Sequence, residues 1–366
     1  MKAATLRRSI FTVFCLIAVS QFARAEALNV YNWSDYIAED TIRNFEKQSK
    51  IKVSYDVYDS NEVLEAKLLA GKSGYDLIFP TARPFADRHI KAKLYRPLDK
   101  SKLHHYGNID PVILKSLADI DPDNAHLVPY MWGTTGIGYN IDKVTAILGK
   151  EMPLDTWKLL FDPEIVAKLS ACGVVMMDDP TEVLVAARAY LGKDSEDFSA
   201  TAINEAAAVI SKVRPKIRYF HSSQYINDLA NGDICVAHGY SGDILQARDR
   251  AAEAKNGVHI AYTVPSEGAV VWTDVMAIPA DATHLDAAHQ FIDYLLEPAV
   301  IADITNYVAY ANANTKALEL VDETIRNDAG IYPPETTRKR LLVLKTPTDK
   351  EARTMNRVWT RLKTGR

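Results

Sequence analysis

The sequence predicts an α/β protein of two lobes, built on doubly wound, mainly parallel sheets. Three observations carry that expectation. Short apolar strands alternate with amphipathic helices from Leu28 to Pro80 and again over 141–267, the rhythm of a parallel sheet. Two extended stretches, Val128–Asn140 and Val270–Pro279, interrupt that rhythm and read as crossings between lobes. At 366 residues the chain is also longer than one hydrophobic core usually serves.

The first 25 residues are expected to lie outside the fold. Lys2, Arg7 and Arg8 precede the apolar run Ile10–Val19, which is too short to span a bilayer. Ala23-Arg24-Ala25 then places small residues at a cleavage position, the pattern of a secretory signal peptide. Phe14 before Cys15 is too bulky for a lipoprotein cleavage site, so no lipid anchor is expected. The mature protein is expected to be exported, cut after about Ala25, and soluble in the periplasm.

Leu28, Val30 and Tyr31 read as the first strand. It ends in Trp33-Ser34-Asp35-Tyr36, and Asp40 is placed to cap a helix from Thr41. Ile51–Val57 alternates apolar and polar, a strand at period two. Ser60 caps a helix over Val63–Ala70, closed by Gly71. Tyr75–Phe79 is a short strand ending at Thr81, so Thr81 and Trp33 face one crevice if both lie at strand carboxyl ends. In the first crossing, Gly133, Gly136 and Gly138 resist a helix, and Trp132 reads as packing.

In the second unit, Cys172–Met177 is a buried strand with Glu182 shortly after it. Ser222 caps a helix ending at Gly232, and Ile234–Ala237 is a strand leading to Tyr240 and Asp243. Trp272 and Asp274 lie on the return crossing. A helix over His284–Leu296 is stopped by Pro298, a strand or loop spans Tyr307–Asn314, and the tail is helical with a basic end. The expected division is 26–134 with 268–310 in one lobe, and 135–267 with 311–366 in the other.

Removing Lys2, Arg7, Arg8 and Arg24, with no acid among the first 25 residues, takes the formal net charge from -4 to -8. That argues against nucleic acid as a partner, since binding its phosphates requires a basic face. Cleavage also removes Cys15, leaving Cys172 and Cys235. These are expected to pair, the alternative being two separate buried thiols. No Walker loop, nucleophile elbow, H-E-x-x-H or zinc-spaced cysteine pair appears, so neither a cofactor nor a metal nor enzymatic catalysis is expected. His104-His105 reads as an exposed loop, and His238 as structural.

What recurs instead is aromatic faces beside carboxylates at predicted strand ends and crossings. Taken singly, each reads as packing or capping. Together they are what a cleft for an alkyl ammonium needs, since a buried cation must be paired and ring faces attract it. Carboxylates at both ends of an apolar slot select a chain with an amine at each end.

Four runs carry a family resemblance: Tyr31–Tyr36, Pro129–Asn140, Tyr219–Ala237 and Tyr310–Asn314. In these the chain resembles the periplasmic polyamine-binding proteins of ABC transporters, nearest the putrescine-binding branch. The resemblance implies a type II venus-flytrap fold with two hinge crossings, a polyamine held between the lobes and delivery to a membrane permease. It also implies a monomer without catalysis. Carried over, Trp33 and Ser34 match first-strand ligand contacts with Asp35 and Tyr36 beside them, and Thr81 a hydroxyl position. Glu182 matches the acid after the second lobe's strand, and Tyr310 the late tyrosine. Tyr240 with Asp243 and Trp272 with Asp274 match two aromatic–acid elements, Asp274 being the principal amine partner. Tyr240 stands where Trp is usual. Trp272 stands where putrescine-preferring members tend to carry Phe and spermidine-preferring ones Trp. Arg83, near Thr81, is expected to face solvent, since pointing inward it would repel an amine. A polyamine sensor signalling through a membrane partner is the alternative reading.

Overall fold

A computed structural model describes residues 27–365; the expected signal peptide and its cleavage position lie outside the described residues. The chain opens with strand β1 (Ala27–Trp33), whose inward Leu28 and Val30 are fully buried. It pairs in parallel with β2 (Lys52–Tyr58) on one side and β3 (Leu77–Ile78) on the other. Helices Thr41–Ser49 and Asn61–Leu69 make the connections, as short βαβ units require. Ser60 caps the second helix by accepting from Val63 N. Asp40 does not cap the first: its carboxylate turns to Arg43, so the expected N-cap is replaced by an ion pair within the helix's first turn.

The crossings are one antiparallel pair. β4 (Val128–Asn140) runs beside β9 (Ala269–Met276), with Val128 opposite Met276 and Gly133 opposite Trp272. At its far end β4 pairs with β7 (Val236–Tyr240) and with β8 (Ile260–Thr263). Beyond β7 the second sheet continues in parallel through β5 (Val174–Met176) to β6 (Ile217–Phe220). Bridges from Ile78 to Ala277 and from Thr81 to Asp274 join the first sheet to β9. β9 is therefore paired with β4 in the larger sheet and bridged, with the residue after it, to the end of the first sheet.

Cys172 and Cys235 form a disulfide with 5.5 Å between their Cα atoms. Cys172 lies two residues before β5 and Cys235 immediately before its parallel neighbour β7, so strand pairing itself brings the thiols within bridging distance.

The C-terminal part differs from expectation. Pro298 does end the Leu285–Leu295 helix region, but it also sits at the first position of a new helix, Pro298–Val308, where its missing N–H is not needed. After Tyr310, β10 (Ala311–Asn312) pairs with Trp132 and Met131 of β4, and Asn314 bridges to Ile109. This stretch therefore lies along β4 before β11 (Leu341–Val343) pairs with the start of β9. The last helix, Asp349–Thr364, carries a full capping box of Thr348 and Glu351 and packs on helix Ala200–Val213.

Candidate ligand-binding site

A narrow slot opens between the two sheets. Trp33, Ser34, Tyr36 and Thr81 line it from the first sheet, Tyr240 and Asp243 from the second, and Trp272, Asp274 and Tyr310 from the crossing region.

Its walls are a run of rings set nearly edge to face. Trp33 lies 6.3 Å from Tyr240 between ring centroids, Tyr240 5.5 Å from Trp272, Trp272 5.4 Å from Tyr310, and Tyr310 5.1 Å from Tyr36. Such T-shaped contacts hold each ring by its neighbour's edge. The polar ends are engaged elsewhere: Trp33 Nε1 donates to the Phe79 carbonyl and Trp272 Nε1 to Thr135 Oγ1. Two glycines make room. A Cβ on Gly133 would stand 2.7 Å from the Trp272 ring, and one on Gly242 2.5 Å from the Tyr310 ring.

Two buried carboxylates face this slot. Asp274, 4% exposed, accepts from Thr81 Oγ1 at 2.7 Å. Thr81 is fixed in turn by Asn61, which donates to its hydroxyl and accepts from its N–H. Tyr36 brings a buried hydroxyl beside Asp274 without forming a well-made hydrogen bond. Burial pushes Asp274 up to about 7, with Thr81 and Tyr36 opposing and the charge of Asp243 adding to the rise. Asp243 accepts from the hydroxyls of Tyr225 and Tyr310, both at 2.6 Å. Burial raises it to about 6 against those two donors.

Two residues expected in the site lie off the slot lining. Asp35, in a left-handed conformation at φ 54°, turns its carboxylate to Arg250 at 2.7 Å. Arg250 belongs to helix Ser241–Ala254 of the other sheet and also reaches Asn227, so the pair ties the lobes across the mouth. Both partners are more than a third exposed, which limits its worth. Arg250→Ala should raise the ligand off-rate by no more than about fivefold; stopped-flow release measurements showing no change would remove the pair from the closure. Glu182 is buried in the first turn of helix Pro180–Tyr190, lining a small internal pocket with Thr135, Trp157 and His238. Burial and the neighbouring Asp179 carboxylate raise it well above the ordinary range, the Thr135 hydroxyl opposing. His238 is held neutral, pushed down to about 3 by burial, its ring edge-on to Trp157. Arg83 turns away from the slot, half-buried, to Asp119 and the Ser116 carbonyl.

Sequence reasoning missed Tyr58, Asp59, Ser222, Ser223 and Ile226 on the lining and Tyr225 beneath Asp243. Tyr58 and Asp59 follow the same strand-end rule that singled out Trp33. Tyr225 lies inside a helix, where nothing in the pattern separates it from core.

With this geometry in hand, the chain compares as follows. It is 53% identical over 349 residues to the putrescine-binding periplasmic protein PotF of Escherichia coli, covering 94% of this chain and 93% of that one. It is 51% identical over 348 residues to the putrescine-binding periplasmic protein SpuD of Pseudomonas aeruginosa, covering 95% of each. Among solved structures, a putative spermidine/putrescine ABC transporter from Listeria monocytogenes matches with a TM-score of 0.83 at 30% identity, over 93% of this chain and all of that one. Residues 40–333 match the family described as bacterial extracellular solute-binding protein, and the chain belongs to that family.

Proposed function

We propose that this protein captures a polyamine, putrescine or spermidine, between its two lobes in the periplasm and delivers it to an ABC permease. The observation that carries the reading is the placing of two buried carboxylates, Asp243 and Asp274, on one slot walled by six aromatic rings. Carboxylates raised by burial are stabilised when a cation joins them. Ring faces contact both ammonium groups and the methylenes between them. The names of the relatives point the same way. The same arrangement offers no activated nucleophile, which favours binding over catalysis.

Transport is tested by deletion: loss of the gene should abolish uptake of labelled polyamine at low external concentration. Unchanged uptake with a lost transcriptional response would favour the sensor reading. Trp272 supplies a selectivity test. Trp272→Phe frees the Thr135 hydroxyl and opens volume between Tyr240 and Tyr310. It should shift the preference between the longer and the shorter amine by roughly tenfold, measured as the ratio of the two Kd values. An unchanged ratio would remove Trp272 from selectivity.

A further inference from the structure

Tyr225 stands behind the slot, fully buried, while its neighbours Ser222, Ser223 and Ile226 reach the lining. It begins helix Tyr225–Ala230, which packs against helix Ser241–Ala254, the one that carries Asp243. Gly239 of β7 leaves room for its ring: a Cβ there would stand 2.7 Å from it. Tyr225 and Asp243 therefore belong to one packed unit.

The hydrogen bonds around Asp243 leave each hydroxyl proton one destination. A phenol has a single proton to give, and a main-chain N–H can only donate. Tyr225 Oη accepts from Tyr240 N at 3.1 Å and donates to Asp243 Oδ2 at 2.6 Å. Tyr310 repeats the pattern, accepting from Asp243 N at 3.1 Å and donating to Oδ1 at 2.6 Å. Both carboxylate oxygens thus receive a hydroxyl proton whose direction a backbone N–H supports. Short hydrogen bonds to an ionised acceptor are the stronger kind. Adding a proton to Asp243 would turn one of these donors away, so the arrangement favours the anion. Tyr225 keeps its own proton, burial and the Asp243 charge both raising it. Asp274 receives a single such donor, from Thr81.

We infer that Tyr225 is a positioning residue that holds Asp243 as an oriented anion, so that this end of the slot selects a cation over a neutral hydrogen-bond donor. The inference rests on the proposed function, since it assigns a role within the same slot. Tyr310 also holds Asp243, but its ring is part of the slot wall and contacts whatever is bound. Tyr225 lies off the lining and acts through the carboxylate. Burial raises Asp243 to about 6, the two tyrosines opposing. The other titratable or charged groups around it are Asp274 and Tyr36 across the slot, with Asp35 and Arg250 paired at the mouth. Taking the Tyr225 hydroxyl away removes one opposing donor and leaves those groups in place. Asp243 then holds its proton to higher pH, and an arriving ammonium must displace it.

The test is calorimetric titration of the full mature protein and of Tyr225→Phe with putrescine and spermidine from about pH 6 to about pH 8.5. Tyr225→Phe should bind about tenfold more weakly near pH 6, one pKa unit being a factor of ten, and within about threefold of the unaltered protein near pH 8.5. A loss of equal size at every pH, or no loss at all, would overturn the inference. In an Asp243→Asn background the same change should add nothing. A full further loss there would also overturn it, since Tyr225 would then act by packing or through Tyr240 N–H. If Tyr225→Phe does not fold, NMR titration of the carboxyls in unaltered, ligand-free protein decides: Asp243 should titrate below Asp274, and the reverse order would count against Tyr225. If the unaltered protein binds neither amine, the function itself is wrong, a result distinct from failure of Tyr225, whose hold on Asp243 the same NMR order still tests.

Discussion

Asp274→Asn should weaken polyamine binding by roughly 30-fold to several thousand-fold, the equivalent of about 2–5 kcal/mol for truncating one partner of a buried, hydrogen-bonded charge pair. The side chain is buried, and Thr81, held on both faces by Asn61, orients its carboxylate. Asn keeps the shape and an acceptor for Thr81 but removes the charge, so the ammonium would be desolvated without a counter-ion. Calorimetry on the variant measures the loss directly, and full retained affinity would remove Asp274 from the site.

The same residue sets a pH dependence whose sign follows from its raised value of about 7. Between the ordinary carboxyl range and 7, the folded ligand-free protein holds a proton that the unfolded chain has released. In that window its stability falls as pH rises. Asp243, raised to about 6, acts in the same direction. A cation favours the ionised carboxylates, so polyamine affinity should rise as pH climbs through 6 to 8, the ligand's own ammonium groups staying charged. Thermal melts of ligand-free protein against pH should show less of this decline in Asp274→Asn.

Breaking the Cys172–Cys235 bridge should cost about 4 kcal/mol of stability, from the loop-closure entropy of a 63-residue separation. Both cysteines precede neighbouring strands of the second sheet, so the bridge constrains β5 against β7 rather than the slot. Urea unfolding of a Cys172→Ser/Cys235→Ser double variant should move to a lower midpoint, with polyamine affinity at low denaturant largely kept. An unchanged midpoint would mean that the sheet holds these strands without the bridge.

How far the sequence was legible depends on whether local pattern decided the outcome. Strand ends were visible because apolar runs stop there. Trp33, Thr81 and Asp243 were found by that rule, and all three line the slot. The two crossings were visible because glycines such as Gly133 stand where no helix would keep them; the structure adds that Gly133 must yield its Cβ space to Trp272. Asp35 was read from its neighbours in sequence, whereas its partner Arg250 lies 215 positions away, a pairing that local pattern does not encode. Glu182 was recognised as an important acid, but its setting depends on how helix Pro180–Tyr190 docks beneath Thr135. Pro298 was read as a stop and also serves as a start, because the same missing N–H suits both roles.

The central claim is that this slot binds a polyamine. Its most direct test is calorimetric titration of refolded, ligand-free protein with putrescine and with spermidine. Saturable binding of at least one, strengthening from pH 6 to pH 8, is the predicted result. Binding of neither at any pH in that range would contradict the assignment and make Tyr240, which stands where Trp is usual, and Arg83 the first residues to revisit.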